Sequence, residues 1–256
     1  MHDLIQHSLQ VYQSAPAEVR VTPSIPILYF GDREAYQVSP LRIITVGLNP
    51  SLVEFPEENP FQRFPSARQI PITPAAIERA LNAYFENSPY HRWFHSFEAI
   101  LRGFRASFYR SRHLVHQPIN RALHTDLLSP IATNPTWSNL SPMDKAILEE
   151  PGLDLWHSLI ERLEPDLMLI SVAEGHLTKI CFERLSSWQI VHTVSRKVPY
   201  HFQYTRYRLR SGHVVNAIFG MAAQTPFGSV KSEVKARIGT IMADQMHYRD
   251  QRNIQL

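Results

Sequence analysis

Four short segments of this chain read as buried strands from their apolar residues: Arg42 to Val46, Ala122 to Leu128, Leu167 to Val172 and Val214 to Phe219. Runs of that length with little polar alternation predict strands buried on both faces. Between them the spacing turns helical. Pro74 behind Thr73 reads as the first helical residue after an N-cap, opening a helix through Ile77, Leu81 and Tyr84 that stops at Ser88-Pro89. Trp93, Phe94, Phe97, Ile100, Leu101 and Phe104 recur at helical spacing and predict a second helix. Ser141-Pro142 and the series Leu155, Leu159, Leu163 predict two more before the third strand. Tyr204 to Leu209 and His213 to Phe219, joined by Arg210-Ser211-Gly212, read as a hairpin feeding the last core strand. Lys231 to Met246 reads as a closing helix. Strands alternating with helices imply an α/β fold, expected here as one three-layer α/β/α domain around a mostly parallel four-stranded sheet. It would span residues 1–256, with an N-terminal extension over 1–40 and a Pro-rich insert over 52–74.

That insert breaks every period. Pro56, Pro60, Pro65, Pro71 and Pro74 leave an irregular loop, and loops of this length are uncommon unless functional or mobile. Phe55, Phe61 and Phe64 stand beside Arg63 and Arg68, a mixture suited to stacking on bases and gripping phosphates. The same residues also suit a loop pinned to the body of the domain.

With 44% hydrophobic and 19% charged residues, the chain can bury a full core. A net charge of +3 is too small to require a polyanionic partner. Cys181 is the only cysteine, which excludes intramolecular disulfides, a Cys-based zinc site and a four-cysteine iron–sulfur cluster within this chain. His91/His95 and His113/His116 have spacings that can place two imidazoles on one helical face. Neither pair brings an obvious third and fourth ligand, so no metal is expected. There is no Walker loop, no G-x-G-x-x-G turn and no G-x-S-x-G elbow, which argues against nucleotide cofactors and serine hydrolysis. No run of about 18 apolar residues is present, and the N-terminus lacks a basic segment followed by an apolar core. A soluble, cytoplasmic protein is expected, with no membrane association and a monomer as the working state.

The polar motifs gather where chemistry is expected, because open parallel sheets bind ligands beyond the carboxyl ends of their strands. Strand one ends in Gly47-Leu48-Asn49-Pro50-Ser51. Gly47 allows close approach or an unusual φ, and Pro50 fixes its own φ and biases Asn49 toward an extended conformation. Asp126 lies at the exit of strand two. Glu174-Gly175-His176 follows strand three, and Gln224-Thr225-Pro226-Phe227-Gly228-Ser229 follows the last.

In these motifs the chain resembles the uracil-DNA glycosylase superfamily, particularly its mismatch-specific branch. GLNPS at Gly47 to Ser51 is similar to the family's first motif, in which an Asn or Asp acts on the attacking water. His91-Arg92-Trp93-Phe94 is similar to its aromatic segment, where a ring stacks on the extruded base. TPFGS at Thr225 to Ser229 is similar to its last motif, a loop that enters the minor groove. The resemblance runs from about Arg42 to Gln245. It departs at Gln224, which stands near where relatives carry a His, at Asp126, where relatives often carry a base-reading Asn, and in the Pro-rich insert.

The resemblance implies a cofactor-independent, monofunctional glycosylase that flips a base out of double-stranded DNA and hydrolyses its N-glycosidic bond. Asn49 would orient the water, since an amide is no useful base at neutral pH. Gln224 or His176 would face the leaving base. Gly47, Leu48, Pro50, Ser51, Trp93, Phe94 and Asp126 would hold the extruded nucleotide. Arg63, Phe64, Arg68, Thr225, Pro226, Phe227, Gly228, Ser229 and Lys231 would contact the DNA, with Phe227 as an inserted wedge. A carboxylate at Asp126 can accept from the N4 amino group of cytosine and repels the O4 of uracil or thymine. That points to a 5-substituted cytosine, such as the hydroxymethylated or glucosylated bases of some phage DNAs, and so to anti-phage defence. The alternatives are uracil or thymine mismatch repair, a non-catalytic reader of modified DNA, and an unrelated hydrolase acting on a free nucleoside.

Overall fold

The computed structural model describes residues 1–68, 71–110, 118–228 and 230–253, with side chains described through Met246. Its strands are β1 (Ile43–Gly47), β2 (Ala106–Ser107), β3 (Asn120–Asp126), β4 (Leu167–Ile170), β5 (Glu183–Arg184), β6 (Gln189–Val194), β7 (Tyr200–Arg208) and β8 (Val214–Gly220). The α-helices are α1 (His2–Ser14), α2 (Arg33–Gln37), α3 (Pro74–Asn82), α4 (His91–Leu101), α5 (Pro142–Leu163) and α6 (Ser232–Asn253). The fold is mixed α/β.

The four expected strands sit side by side as β3-β1-β4-β8, all parallel. The sheet around them has eight strands rather than the four expected, in the order β2-β3-β1-β4-β8-β7-β5, with β6 also paired to β7. The additions escaped the sequence reading for physical reasons. β2 and β5 are two residues each, too short to show a period. β6 is an edge strand with no fully buried residue, so it lacks the apolar signal of a core strand. β7 begins at Tyr200 and runs antiparallel to β8, which makes the expected hairpin longer than its sequence signal.

β1 is buried at all five positions. Its run Ile43-Ile44-Thr45-Val46 is β-branched throughout, which suits a pleated strand packed on both faces. Thr73 caps α3 as expected, its Oγ1 accepting from Ala76 N at 3.2 Å ahead of Pro74. The two helices expected between residues 141 and 163 are one, because α5 runs through Pro151. An interior proline costs a helix about 3 kcal/mol, and burial of Leu148, Leu155, Trp156, Leu159 and Ile160 offsets it. Gly152 lets this helix lie against the end of β3, where a Cβ would fall 2.1 Å from the Leu128 carbonyl oxygen. Trp156 Nε1 then donates to Thr125 Oγ1 at 3.1 Å, fixing α5 over the strand that carries Asp126.

Residues 1–40 belong to the same hydrophobic core, which runs from Leu4 to Met246 as one cluster. Phe30 and His124 exchange backbone hydrogen bonds of 2.8 and 3.0 Å, laying the N-terminal segment along β3. No helix among the described residues is long and apolar enough to cross a membrane.

Candidate functional site

β1 and β3 end together, with Gly47 opposite Asp126 and Thr45 opposite His124 in register. Beyond their carboxyl ends lies a cleft of about 110 Å³ lined by Phe30, Asn49, Pro50, Ser51, Glu54, Tyr90, Trp93, Phe94, His124 and Asp126. Six of these are residues expected from the sequence: Asn49, Pro50, Ser51, Trp93, Phe94 and Asp126. Sites that enclose drug-sized ligands measure roughly 300–1,000 Å³, so this cleft suits a single ring.

Gly47 works by leaving space. A Cβ there would lie 2.6 Å from Asp126 Oδ1 and 3.0 Å from His124 Nε2, and the φ of Gly47 is not left-handed. Of the two roles open to this glycine in the sequence, close approach is the one observed. Leu48 is only partly buried and does not line the cleft, but its carbonyl accepts from Leu128 N at 2.9 Å and extends the pairing of β1 with the β3 chain.

The turn after β1 is tied down by the chain that follows β3. Asn49 Nδ2 donates to Thr133 Oγ1 at 3.1 Å and to the Pro50 carbonyl at 2.6 Å. Thr133 N donates to Pro50 O and Leu52 N to Thr133 O, both at 3.3 Å. With its nitrogen doubly engaged, the Asn49 amide presents its carbonyl oxygen as the atom available to a ligand, and that oxygen accepts protons in hydrogen bonds only.

On β3, His124 and Asp126 share one face, as residues two apart in a strand must. Their Nε2 and Oδ1 atoms are 3.6 Å apart, longer than a hydrogen bond. His124 Nδ1 lies 2.7 Å from Thr45 Oγ1. The imidazole is walled in by rings, with Phe94, Phe97 and Phe30 centred 5.1, 5.2 and 5.5 Å away.

Glu54 is the residue the sequence reading missed that most changes the site. It ends a 3₁₀ turn at Leu52–Glu54, and its side chain is only 7% exposed. Oε2 accepts from the Tyr84 hydroxyl at 2.6 Å, which in turn accepts from Tyr90 N at 3.0 Å. Arg63 Nε lies 3.8 Å from the same oxygen. Burial pushes the Glu54 carboxyl up to about 7, with the charge of Asp126 adding to the rise and Tyr84 and Arg63 opposing it. The folded protein therefore holds this proton more tightly than the unfolded chain. Stability from Glu54 is fully present below about pH 4.5 and is lost as pH rises through about 7.

The insert proves to be packed rather than free. Phe64 is fully buried and stacks on Phe55 at 5.2 Å, so neither ring is available to a nucleic acid base. Arg63 also turns inward, donating to the carbonyls of Val53 and Ser88. Arg68 is exposed and bonds Asn59 Oδ1 at 2.8 Å. Pinning wins because two phenylalanines cover more apolar surface against the core than solvent would tolerate. The insert still contributes a wall of the cleft through Glu54.

The TPFGS loop also departs from expectation. Phe227 is 0% exposed, stacked against Phe202 at 5.7 Å and edge-on to Phe97 at 5.4 Å. Its backbone is left-handed, with φ of 57°, and its N–H donates to Ser171 Oγ at 2.6 Å. Pro226 O accepts from Ser96 Oγ and from the buried Lys235 Nζ, each at 2.9 Å. Thr225 Oγ1 donates to Gly228 O at 3.1 Å and closes the turn. A side chain held this way is a core residue, not a wedge. Phe227→Ala is expected to cost about 3–5 kcal/mol of stability, measured by denaturant unfolding.

Gln224 is exposed and does not line the cleft, and Lys231 is exposed at the start of the closing helix. His176 lies outside the cleft too. It is half-buried on a 3₁₀ turn, where burial lowers its pKa, and Glu149, Lys179 and Lys145 are the charged groups around it. The leaving-base role expected of Gln224 or His176 therefore has no support in the geometry, because neither residue lines the cleft over β1 and β3. Ser229, His113 and His116 lie outside the described residues. Among the described residues no cluster of His, Cys, Asp and Glu could hold a metal ion.

Trp93 and Phe94 both line the cleft. Phe94 forms its floor at 1% exposure, with Phe85, His124, Phe30 and Tyr84 rings 4.9 to 5.5 Å away, and Trp93 stands partly exposed at its rim. Phe94→Ala is expected to lower stability by about 3–5 kcal/mol. Trp93→Ala should leave thermal melting within a few degrees while weakening capture of a base by about 1–3 kcal/mol. Melting curves and single-turnover rates on the two variants separate these outcomes.

A larger groove of about 1270 Å³ runs along α5 toward β5 and β7. Its lining includes Glu149, Glu150, Asp154, Glu161 and Glu183 against Arg162, Arg208 and Arg210, an acidic excess unsuited to a DNA backbone. His157 within it has Nδ1 2.7 Å from Leu153 O and accepts from Cys181 N at 3.0 Å, so both ring nitrogens are engaged by backbone.

Compared with known proteins, the chain matches no protein-family model, no curated relative and no solved structure.

Proposed function

We propose that the cleft over β1 and β3 is the active site of a DNA glycosylase that hydrolyses the N-glycosidic bond of an extruded base, resembling the mismatch-specific branch of the uracil-DNA glycosylase superfamily. One observation carries this reading. Asn49, Asp126 and the pair Trp93 and Phe94, chosen from three separate motifs, line one cleft of single-ring size. Trp93 offers an apolar face to the base above the buried floor of Phe94, Asp126 offers an acceptor for its edge, and Asn49 offers a fixed amide oxygen to a water. The bond from the water oxygen to C1′ forms as the C1′–N bond breaks, and its electron pair leaves with the base. No cofactor takes part in this scheme.

Asp126 favours a cytosine-type base over uracil or thymine. The small cleft favours a compact 5-substituent such as hydroxymethyl over a glucosyl group. Burial of Phe227 and of Arg63 also bears on the substrate: with Phe227 unavailable as a wedge, a base already loosely paired or single-stranded is the favoured target. The test is incubation with oligonucleotides carrying a panel of altered bases in single strands, mismatches and full duplexes, followed by alkaline cleavage at abasic sites. Release is expected to be fastest where pairing is weakest, since flipping costs a few kcal/mol in a duplex. DNA binding without any base release would favour the non-catalytic reader.

A further inference from the structure

We infer that Glu54 accepts the proton of the attacking water, so that Asn49 and Glu54 form a two-residue water site. This inference rests on the glycosylase reading and fills a gap in it. When the water oxygen bonds to C1′, its surplus proton has to go to an acceptor, and the Asn49 amide cannot take it at neutral pH. The cleft holds two carboxylates, Glu54 and Asp126. Asp126 sits on β3 beside His124, where it can meet the base edge. Glu54 comes from the same loop as Asn49, five residues further on, and lines the same cleft.

The carboxylate is built to be aimed. Tyr84 grips Oε2 through its hydroxyl and is itself fixed by the Tyr90 backbone N–H. Arg63 stands behind the same oxygen and is tied to the carbonyls of Val53 and Ser88. These contacts occupy one of the two carboxylate oxygens. The other, Oε1, has no hydrogen-bond partner among the described residues and is the atom left for a water. Holding an acid–base group through a fixed supporting shell is what precise proton transfer needs.

The groups facing Glu54 set its charge. They are Tyr84 from the 3₁₀ turn after α3, Arg63 from the insert and Asp126 from β3, while His124 and Tyr90 line the same cleft. Burial raises the carboxyl to about 7, close to the operating pH at which a base works best. A base must be ionised to accept, so the rate should fall roughly tenfold per pH unit below that value and level off above it.

The competing role for Glu54 is structural, as an anchor holding the insert on Tyr84. Glu54→Gln separates the two, because a glutamine carbonyl still accepts from the Tyr84 hydroxyl but takes no proton. The experiment measures single-turnover base release from single-stranded oligonucleotides carrying 5-hydroxymethylcytosine, uracil or thymine, from about pH 5 to 9. Wild type, Glu54→Gln and Glu54→Asp are compared, with melting and DNA binding recorded for each. The expected result is an acid limb bending near 7 in wild type. In Glu54→Gln that limb is absent and the rate lower by about a hundredfold or more, with melting and binding retained and partial recovery in Glu54→Asp. A Glu54→Gln variant that keeps the wild-type rate and limb overturns the role of Glu54 and leaves the glycosylase reading intact. If Glu54→Gln fails to fold, a Glu54→Asp variant with the wild-type rate and an unshifted limb overturns it equally. Wild-type protein that releases no base from any of these substrates overturns both.

Discussion

Asn49→Ala is expected to lower single-turnover base release by roughly a hundredfold or more while leaving DNA affinity within several-fold of wild type. Mispositioning a reactant by about 1 Å is enough for a loss of that size. The structure gives Asn49 two jobs that this variant tests together. Its nitrogen holds the turn to Thr133 and Pro50, and its oxygen is left for the cleft. If the protein binds DNA as proposed, affinity is expected to come mainly from phosphate contacts rather than from this amide, so removing it should spare binding. Thr133→Val is the control for the turn, since it removes the Oγ1 that Asn49 grips and keeps Asn49 itself. A loss of release and binding in equal measure in Asn49→Ala, matched by a comparable melting loss, would make Asn49 a structural turn residue.

Asp126→Asn is expected to change which base is released. The carboxylate is buried beside His124 and lines the cleft, where it can only accept. An asparagine adds an N–H₂ that can donate to the O4 of uracil or thymine. Each well-made edge contact discriminates by about 1–3 kcal/mol, or roughly 5- to 150-fold. The ratio of release rates for 5-hydroxymethylcytosine and uracil should therefore move toward uracil by a factor in that range. If both rates fall together, Asp126 serves to hold His124 and does not read the base.

The chain itself announced the parallel core, and the reason is burial. β1, β4 and β8 are largely covered on both sides and are mostly apolar in sequence, while β3 keeps that signal only in Ala122-Leu123 and in Leu127-Leu128 just past its end. β6 lies at the edge, where half its positions face solvent and none is buried, so the signal fades, whereas β7 is paired on both sides and its hairpin with β8 is legible. α5 reads as two helices because Ser141-Pro142 and the Leu155, Leu159, Leu163 series are separate signals, and the burial that carries one helix through Pro151 is not visible in the sequence. The site divides the same way. Asn49 and Asp126 stand at strand exits, where polar residues after apolar runs are conspicuous. His124 had a signal that went unused, since it shares a strand face with Asp126 two residues on. Phe30 reaches the cleft only through its backbone pairing with His124, and Glu54 only because Phe55 and Phe64 anchor the insert around it. Phe64, Arg63 and Phe227 were assigned to DNA on composition, which does not distinguish a ring facing solvent from one facing the core.

The most direct measurement is of the products themselves. Wild-type protein and the Asn49→Ala variant are incubated with a single-stranded oligonucleotide containing one 5-hydroxymethylcytosine. The released base is then quantified by mass spectrometry and the abasic site by alkaline cleavage. Hydrolysis at the cleft over β1 and β3 predicts equal amounts of free base and abasic site with wild type, and a loss of both with Asn49→Ala. Intact oligonucleotide after prolonged incubation with wild type, repeated for uracil and thymine, would contradict it, as would release that Asn49→Ala leaves unchanged.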